Sequence, residues 1–262
     1  MVQQLSGQAI YVVLMRELKR YWRAKARVVS SVVQSIFFLA IFGLGLGRFI
    51  GDLGGVSYLS YMSPGVIGMG LLFGSVASGV SIIFDRQFGF MKEMLVAPVS
   101  RTSIIIGKIL GGATTATIQG IILMTIAGFM GAFVPSLAFL AGALAAVGVM
   151  ILITAGFVGL GVAIGSKLND FHAFQLISTF VMQPMFMLSG VFFSVDMVPL
   201  PLQVAMLCDP MFYGVELLRW CLLGAGTPLL GSFGWLISLV VIAGFDVVMV
   251  GVGTYLFSRS QI

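Results

Sequence analysis

Few side chains in this sequence can do chemistry, and their spacing narrows the choice further. The one histidine, His172, stands near Asp170 at the head of an apolar run, where it reads as an interface residue rather than a base. Cys208 and Cys221 have neither CxxC nor metal-ligand spacing, so they either pack or, on an oxidising side, bridge; no metal site is expected. No G-x-x-x-x-G-K-[ST] occurs, and Gly107-Lys108 lacks both the upstream glycine and the hydroxyl, so the chain cannot cradle nucleotide phosphates. A membrane protease or acyltransferase needs a His or a carboxylate cluster at membrane depth. Only Asp246 stands in the middle of an apolar run. It is either the coupling carboxylate of an ion-driven transporter or an Asp kept neutral or hydrogen-bonded inside a helix bundle. Glu216 and Arg219, at i and i+3, can pair. The chain is therefore expected to be no enzyme and to bind no cofactor itself.

The elements around these residues follow from composition. Of 262 residues, 59% are hydrophobic and 9% charged, against roughly 25% charged in a soluble domain. Too few polar side chains remain to cover a water-facing surface, so lipid must be the solvent for most of the chain. Six apolar runs are long enough to span a bilayer core: 28–50, 59–84, 102–131, 137–165, 171–193 and 233–257. The expected fold is an all-α integral membrane protein, 1–262 forming one transmembrane domain without internal repeat. With the N-terminus inside, every Lys and Arg except Arg48 and Arg219 falls on the cytoplasmic side. The positive-inside rule then predicts both termini in the cytoplasm. The net charge of +5 is spent on topology and on lipid phosphates and calls for no nucleic acid.

Three segments stand out. In 1–27, Arg16, Lys19, Arg20, Arg23 and Arg27 form one helical stripe, and Tyr11, Leu14, Met15, Leu18 and Trp22 another. Such a helix is expected along the cytoplasmic interface, rings in the acyl boundary and cations at headgroups. It is either a simple anchor or a lever beside the pathway. In 85–98, Phe84, Phe88, Met91 and Leu95 form a ridge, Asp85, Arg86, Lys92 and Glu93 supply charge around it, and Pro98 ends the helix. The ridge either rests on lipid or enters a groove of another protein. In 194–232, two apolar pieces too short to cross flank the break at Asp209-Pro210. They read as a re-entrant outer hairpin or as an amphipathic pair lying flat outside.

These residues carry a resemblance. The stretch FDRQFGFMKEMLVAPVSRTSIIIGK is similar to the signature of type-2 ABC transporter permeases, the membrane subunits of drug, polysaccharide and lipid-linked exporters. QPMFMLSGVFF, VPLPL and CDPMFYGVELLRW follow in the family's order, with Asp209 where many relatives carry Asn. The wording resembles the daunorubicin-resistance type more than the capsule and O-antigen type. The resemblance implies a homodimer, or a pair with a second permease, with one nucleotide-binding ATPase subunit per copy. ATP and Mg would be bound by that partner alone. It implies that Asp85, Arg86, Phe88, Met91, Lys92, Glu93 and Leu95 belong to the ATPase-coupling helix. Pro199, Pro201, Asp209, Pro210, Glu216 and Arg219 would belong to an outer gate, and Arg16, Lys19, Arg20, Trp22 and Arg23 to the interfacial connector. The implied function is ATP-driven export of a hydrophobic or amphipathic cargo, drug-like or lipid-linked, across the cell membrane. Polysaccharide export and ion-coupled transport through Asp246 are the alternatives. A pathway lined by Met, Phe and Gly, without a polar cluster, is expected.

Overall fold

With no water in a bilayer core, each backbone N–H and C=O must be satisfied within the protein, and a helix does this within one segment. The computed structural model describes residues 7–53, 55–89, 100–224 and 228–259. Among these, six helices are long and apolar enough to cross a membrane: Val28–Ile50, Tyr58–Gln87, Arg101–Phe129, Leu137–Lys167, Phe171–Leu188 and Leu230–Arg259. The protein is thus an all-α integral membrane protein, as the apolar runs predict. The fifth span ends at Leu188, short of the predicted Phe193, because the chain turns at Gly190 with φ 73°.

Helix α1 (Gly7–Arg23) breaks at Ala24 and continues as α2 (Lys25–Phe38), which runs on in π-helical form through Leu39–Leu46. A two-residue antiparallel hairpin, β1 (Asp52–Leu53) and β2 (Val56–Ser57), leads into α3 (Tyr58–Ser78) and α4 (Val80–Gln87), which meet at Gly79. Then come α5 (Arg101–Phe129), α6 (Leu137–Lys167), α7 (Phe171–Leu188), α8 (Leu200–Leu207), α9 (Pro210–Leu223) and α10 (Gly234–Arg259). The starts are written in the sequence as N-caps. Ser57, Ser100, Ser136 and Asp170 accept hydrogen bonds from the backbone N–H groups of Ser60, Ser103, Phe139 and Ala173.

Helix α3 is buried over most of its length and packs on α5, α6 and α9. Helix α6 also runs along α10. Between membrane helices, attraction comes from close packing rather than from expelled water, so small residues mark the contacts. A β-carbon on Gly79 would overlap the carbonyl of Gly161, and one on Gly253 would lie 2.7 Å from the carbonyl oxygen of Gly159. At these two crossings backbone meets backbone.

The interfacial expectation for α1 needs correction. Tyr11, Lys19, Trp22 and Arg23 are exposed, as a surface helix requires. A further face, carrying Val13 and Glu17, is buried against α5. Gly107 and Gly111 of α5 make the room: β-carbons there would lie 2.8 Å from Val13 Cβ and 2.7 Å from Glu17 Cβ. The helix is docked on the bundle as well as lying at its rim.

Candidate functional site

At the end of the bundle where α1 lies, five ionisable side chains meet. Asp85, on the last turns of α4, is almost fully buried. It accepts from Arg16 of α1 at 2.5 Å and from Lys108 of α5. Lys108 is also buried, donates to Ser81 Oγ at 3.0 Å, and lies 3.6 Å from Glu17. Glu17 in turn pairs with Arg20. Three cations and two carboxylates therefore join α1, α4 and α5. Buried charges persist only when paired and hydrogen-bonded, and here each carboxylate touches two cations. Asp85, expected as loop charge around an apolar ridge, is instead turned into the bundle.

The neighbouring Arg86 points the other way. It donates to Asn169 Oδ1 at 2.5 Å, to the carbonyl of Ser166 at 3.2 Å and to that of Leu168 at 3.4 Å. The two backbone acceptors, Ser166 and the C-cap Leu168, stand at the C-terminal end of α6, where carbonyls lack intrahelical partners and favour a cation. The base of the 85–98 loop is thus tied on one side to α1 and α5 and on the other to the α6–α7 turn. Phe84 stacks on Phe171, and Phe88 is exposed after the helix ends at Gln87, followed by Gly89 at φ 77°. The helix that carries Phe84 therefore ends before Phe88. Met91, Lys92, Glu93, Leu95 and Pro98 lie outside the described residues.

At the opposite end, Asp209 caps α9, its Oδ1 accepting from Met211 N–H at 3.0 Å, with Pro210 at the first helical position. Tyr213 donates to the carbonyl of Leu207 and ties α9 back to α8. Pro199 and Pro201 are exposed at the start of α8. Glu216 and Arg219 pair at 2.5 Å and are both buried. The Arg219 guanidinium lies 4.0 Å from the centre of the Tyr61 ring and donates to the carbonyl of Gly190. Gly65 admits this turn, since a β-carbon there would sit 2.9 Å from Val191 Cα. Cys208 and Cys221 are free thiols, so no bridge closes the hairpin.

Burial pushes the Asp209 carboxyl up to about 7, only partly opposed by the N–H groups of Met211 and Phe212, and its Oδ2 has no partner. The unfolded value is about 3.9, so the folded state favours the neutral acid and loses stability as pH rises from about 4 through about 7. Asn supplies the same cap without charge. Asp209→Asn should match the parent in thermal unfolding only below about pH 4 and exceed it by a growing margin up to pH 8; a variant less stable throughout would refute this account of the cap.

Between α2, α3, α5 and α7 lies a cavity of about 280 Å³, reached at one end by Glu17, Arg20 and Tyr21 of α1. Its walls include Ser31, Gln34, Gln119, Gln175 and Ser178 as well as Met69, Phe73 and Met182. Amides and hydroxyls thus stand beside methionine and phenylalanine in this cavity. Asp246 lies elsewhere, buried in α10 against Gly156 of α6, where a β-carbon would overlap its Oδ1. His172 is exposed, its ring 5.8 Å from that of Phe171.

The residues missed from the sequence are Glu17, Lys108, Tyr61 and Gly190. Lys108 follows a glycine and breaks an otherwise apolar helix, the one signal that it faces inward.

Six apolar helices, with a buried ion cluster at one end and a buried pair at the other, make this a multi-pass membrane protein. The ABC-2 type transporter family matches residues 8–223. The chain is 31% identical over 230 residues to the inner membrane transport permease YadH of Escherichia coli K12, covering 86% of this chain and 88% of that one. It is 26% identical to Nodulation protein J of Rhizobium leguminosarum bv. viciae, covering 77% and 76%. With the putative transport permease ycf38 of Porphyra purpurea it shares 28%, covering 81% and 73%. The chain belongs to the ABC-2 type transporter family.

Proposed function

We propose that this chain is the membrane subunit of an ATP-driven exporter, moving a hydrophobic or amphipathic cargo outward. It works as a homodimer, or paired with a second permease, in the cell membrane with both termini cytoplasmic. A separate nucleotide-binding subunit on each copy holds ATP and Mg and does the hydrolysis. The observation that carries this reading is the ion cluster of Asp85, Lys108, Arg16 and Glu17. It fastens the base of the 85–98 loop to α1 and α5, so a push on the loop reaches helices that wall the cavity. A free surface loop would absorb the same push by bending. The name of the bacterial relative, an inner membrane transport permease, supports the location. The re-entrant role of the α8–α9 hairpin belongs to the same proposal.

The test is the loop itself. Met91→Asp with Leu95→Asp should detach the ATPase, or uncouple hydrolysis from transport, while the permease still inserts. Desolvating each large apolar side chain in a cleft contributes roughly 1.5–3 kcal/mol, so losing two weakens docking by more than tenfold. The measurement is co-purification of the ATPase together with transport in vesicles. Retention of the ATPase and a wild-type rate would end the coupling role of this loop.

A further inference from the structure

The cavity between α2, α3, α5 and α7 carries a chemical signature. Its polar wall combines the amides of Gln34, Gln119 and Gln175 with the hydroxyls of Ser31 and Ser178. Ser178 is almost fully buried on α7, and its Oγ has no hydrogen-bond partner. Tyr21, at the α1 end, likewise carries a buried Oη without one. Ser31 donates its proton to the carbonyl of Val28, which leaves its lone pairs as acceptors. Gln119 is held by α3: a β-carbon on Gly74 would lie 3.2 Å from its Oε1. The charged side chains on the wall are Glu17 and Arg20, and these neutralise each other. Asp85, a carboxylate of the adjoining ion cluster, is held by Arg16 and Lys108.

The wall itself offers an entering ion no spare counter-charge, because the cluster's extra cation is shared between Arg16 and Lys108, which lie off the wall. Burying an ion unpaired costs far more than burying a hydroxyl that is hydrogen-bonded. Amides and hydroxyls offer donors and acceptors together, as a hydroxyl- or amide-bearing group requires. The side chains of Met69, Phe73 and Met182 supply the apolar part of the wall. Resting on the permease reading, we infer that the cavity takes the uncharged, hydrogen-bonding head of an amphiphile, with its chain against the methionines and Phe73. Cationic and anionic amphiphiles of the same chain length are excluded from it.

The test uses purified permease in nanodiscs, with Cys208→Ala and Cys221→Ala removing the native thiols. Ser31→Cys reports on the cavity, and Phe180→Cys, exposed on α7, reports on the outer surface. The modification rate by a small methanethiosulfonate is measured with dodecyl glucoside, dodecyltrimethylammonium or dodecyl sulfate at equal occupancy of the bilayer. The glucoside should slow reaction at position 31 about fivefold or more, as one or two added hydrogen bonds allow. The two ions should slow it less than about twofold, and position 180 should not distinguish the three. Gln119→Leu should erase the glucoside's protection, and Gln34→Leu, at the exposed rim, should do so without disturbing the packed core. Equal protection by a charged amphiphile, or no protection by any, overturns the inference. ATP-dependent uptake of a fluorescent glucoside into inverted vesicles containing the permease and its ATPase separates two sources of the ligand. Accumulation marks it as cargo. Selective protection without accumulation marks a resident neutral lipid, upholding the cavity chemistry while removing the exporter reading.

Discussion

Arg219→Ala should cost the folded protein about 3–5 kcal/mol, the usual consequence of removing one partner of a buried ion pair. The guanidinium is 2% exposed and Glu216 is 0% exposed, so the carboxylate left behind has no water to turn to. The substitution also strips a donor from the Gly190 carbonyl and a cation from the face of Tyr61. The turn that closes α7 loses its tie to α9 and α3 together. Glu216→Ala should be comparably damaging, because it leaves the guanidinium buried. A double replacement by methionine should recover part of the loss, since two apolar groups of similar volume leave no orphan charge. Arg219→Lys should not rescue, because a point charge cannot serve carboxylate, carbonyl and ring in one plane. Thermal unfolding in nanodiscs checks each variant. Single variants as stable as the parent would mean that the pair is hydrated in the membrane and holds nothing together.

The second large effect is expected at Asp85→Ala. Lys108, 3% exposed, would then keep Ser81 as a hydrogen-bond acceptor but only Glu17, at 3.6 Å, as a counter-charge, and Arg16 would lose its tie to α4. A loss of about 3–5 kcal/mol is again the scale, concentrated on the contact between α1 and α5. A cysteine at Val13, buried in the parent, should become rapidly reactive, and ATP-driven transport should fall. Asp85→Asn combined with Lys108→Met should restore burial of position 13 more than it restores transport. That split separates packing from transmission. Transport unchanged in Asp85→Ala, with position 13 still protected, would remove the cluster from the coupling path.

The six spans were legible because hydrocarbon imposes a length on every run, and their boundaries fell where Ser136, Asp170 and similar caps stand. The Glu216–Arg219 pair was legible because it is local, three residues on one helix. The ion cluster was not. Its members come from Arg16, Asp85 and Lys108, far apart in sequence, and each has an innocent reading as a cytoplasmic charge. Of the two stripes read on α1, Tyr11, Lys19, Trp22 and Arg23 are exposed, while Leu14, Met15, Arg16, Leu18 and Arg20 are half-buried, and the reading was silent about the face of Val13 and Glu17. What decides that face is Gly107 and Gly111 on a different helix, which no pattern within α1 reports. The cavity's amides were hidden for a related reason: Gln34, Gln119 and Gln175 belong to three separate helices and look like single polar interruptions in apolar runs.

The glycine crossings have a mechanical meaning. Where Gly79 meets Gly161 and Gly159 meets Gly253, no side chains lie between the helices to change rotamer and take up shear. Packed interfaces are bistable rather than continuously deformable, and a backbone-to-backbone contact has the fewest states of all. On the proposed transport reading, helices α3, α6 and α10 should therefore move together as one unit, and displacement should fall on the joints built from long, jointed side chains. These are the α1–α4–α5 ion cluster at one end and the Arg219 clasp at the other, two adjustable couplings mounted on one shared frame.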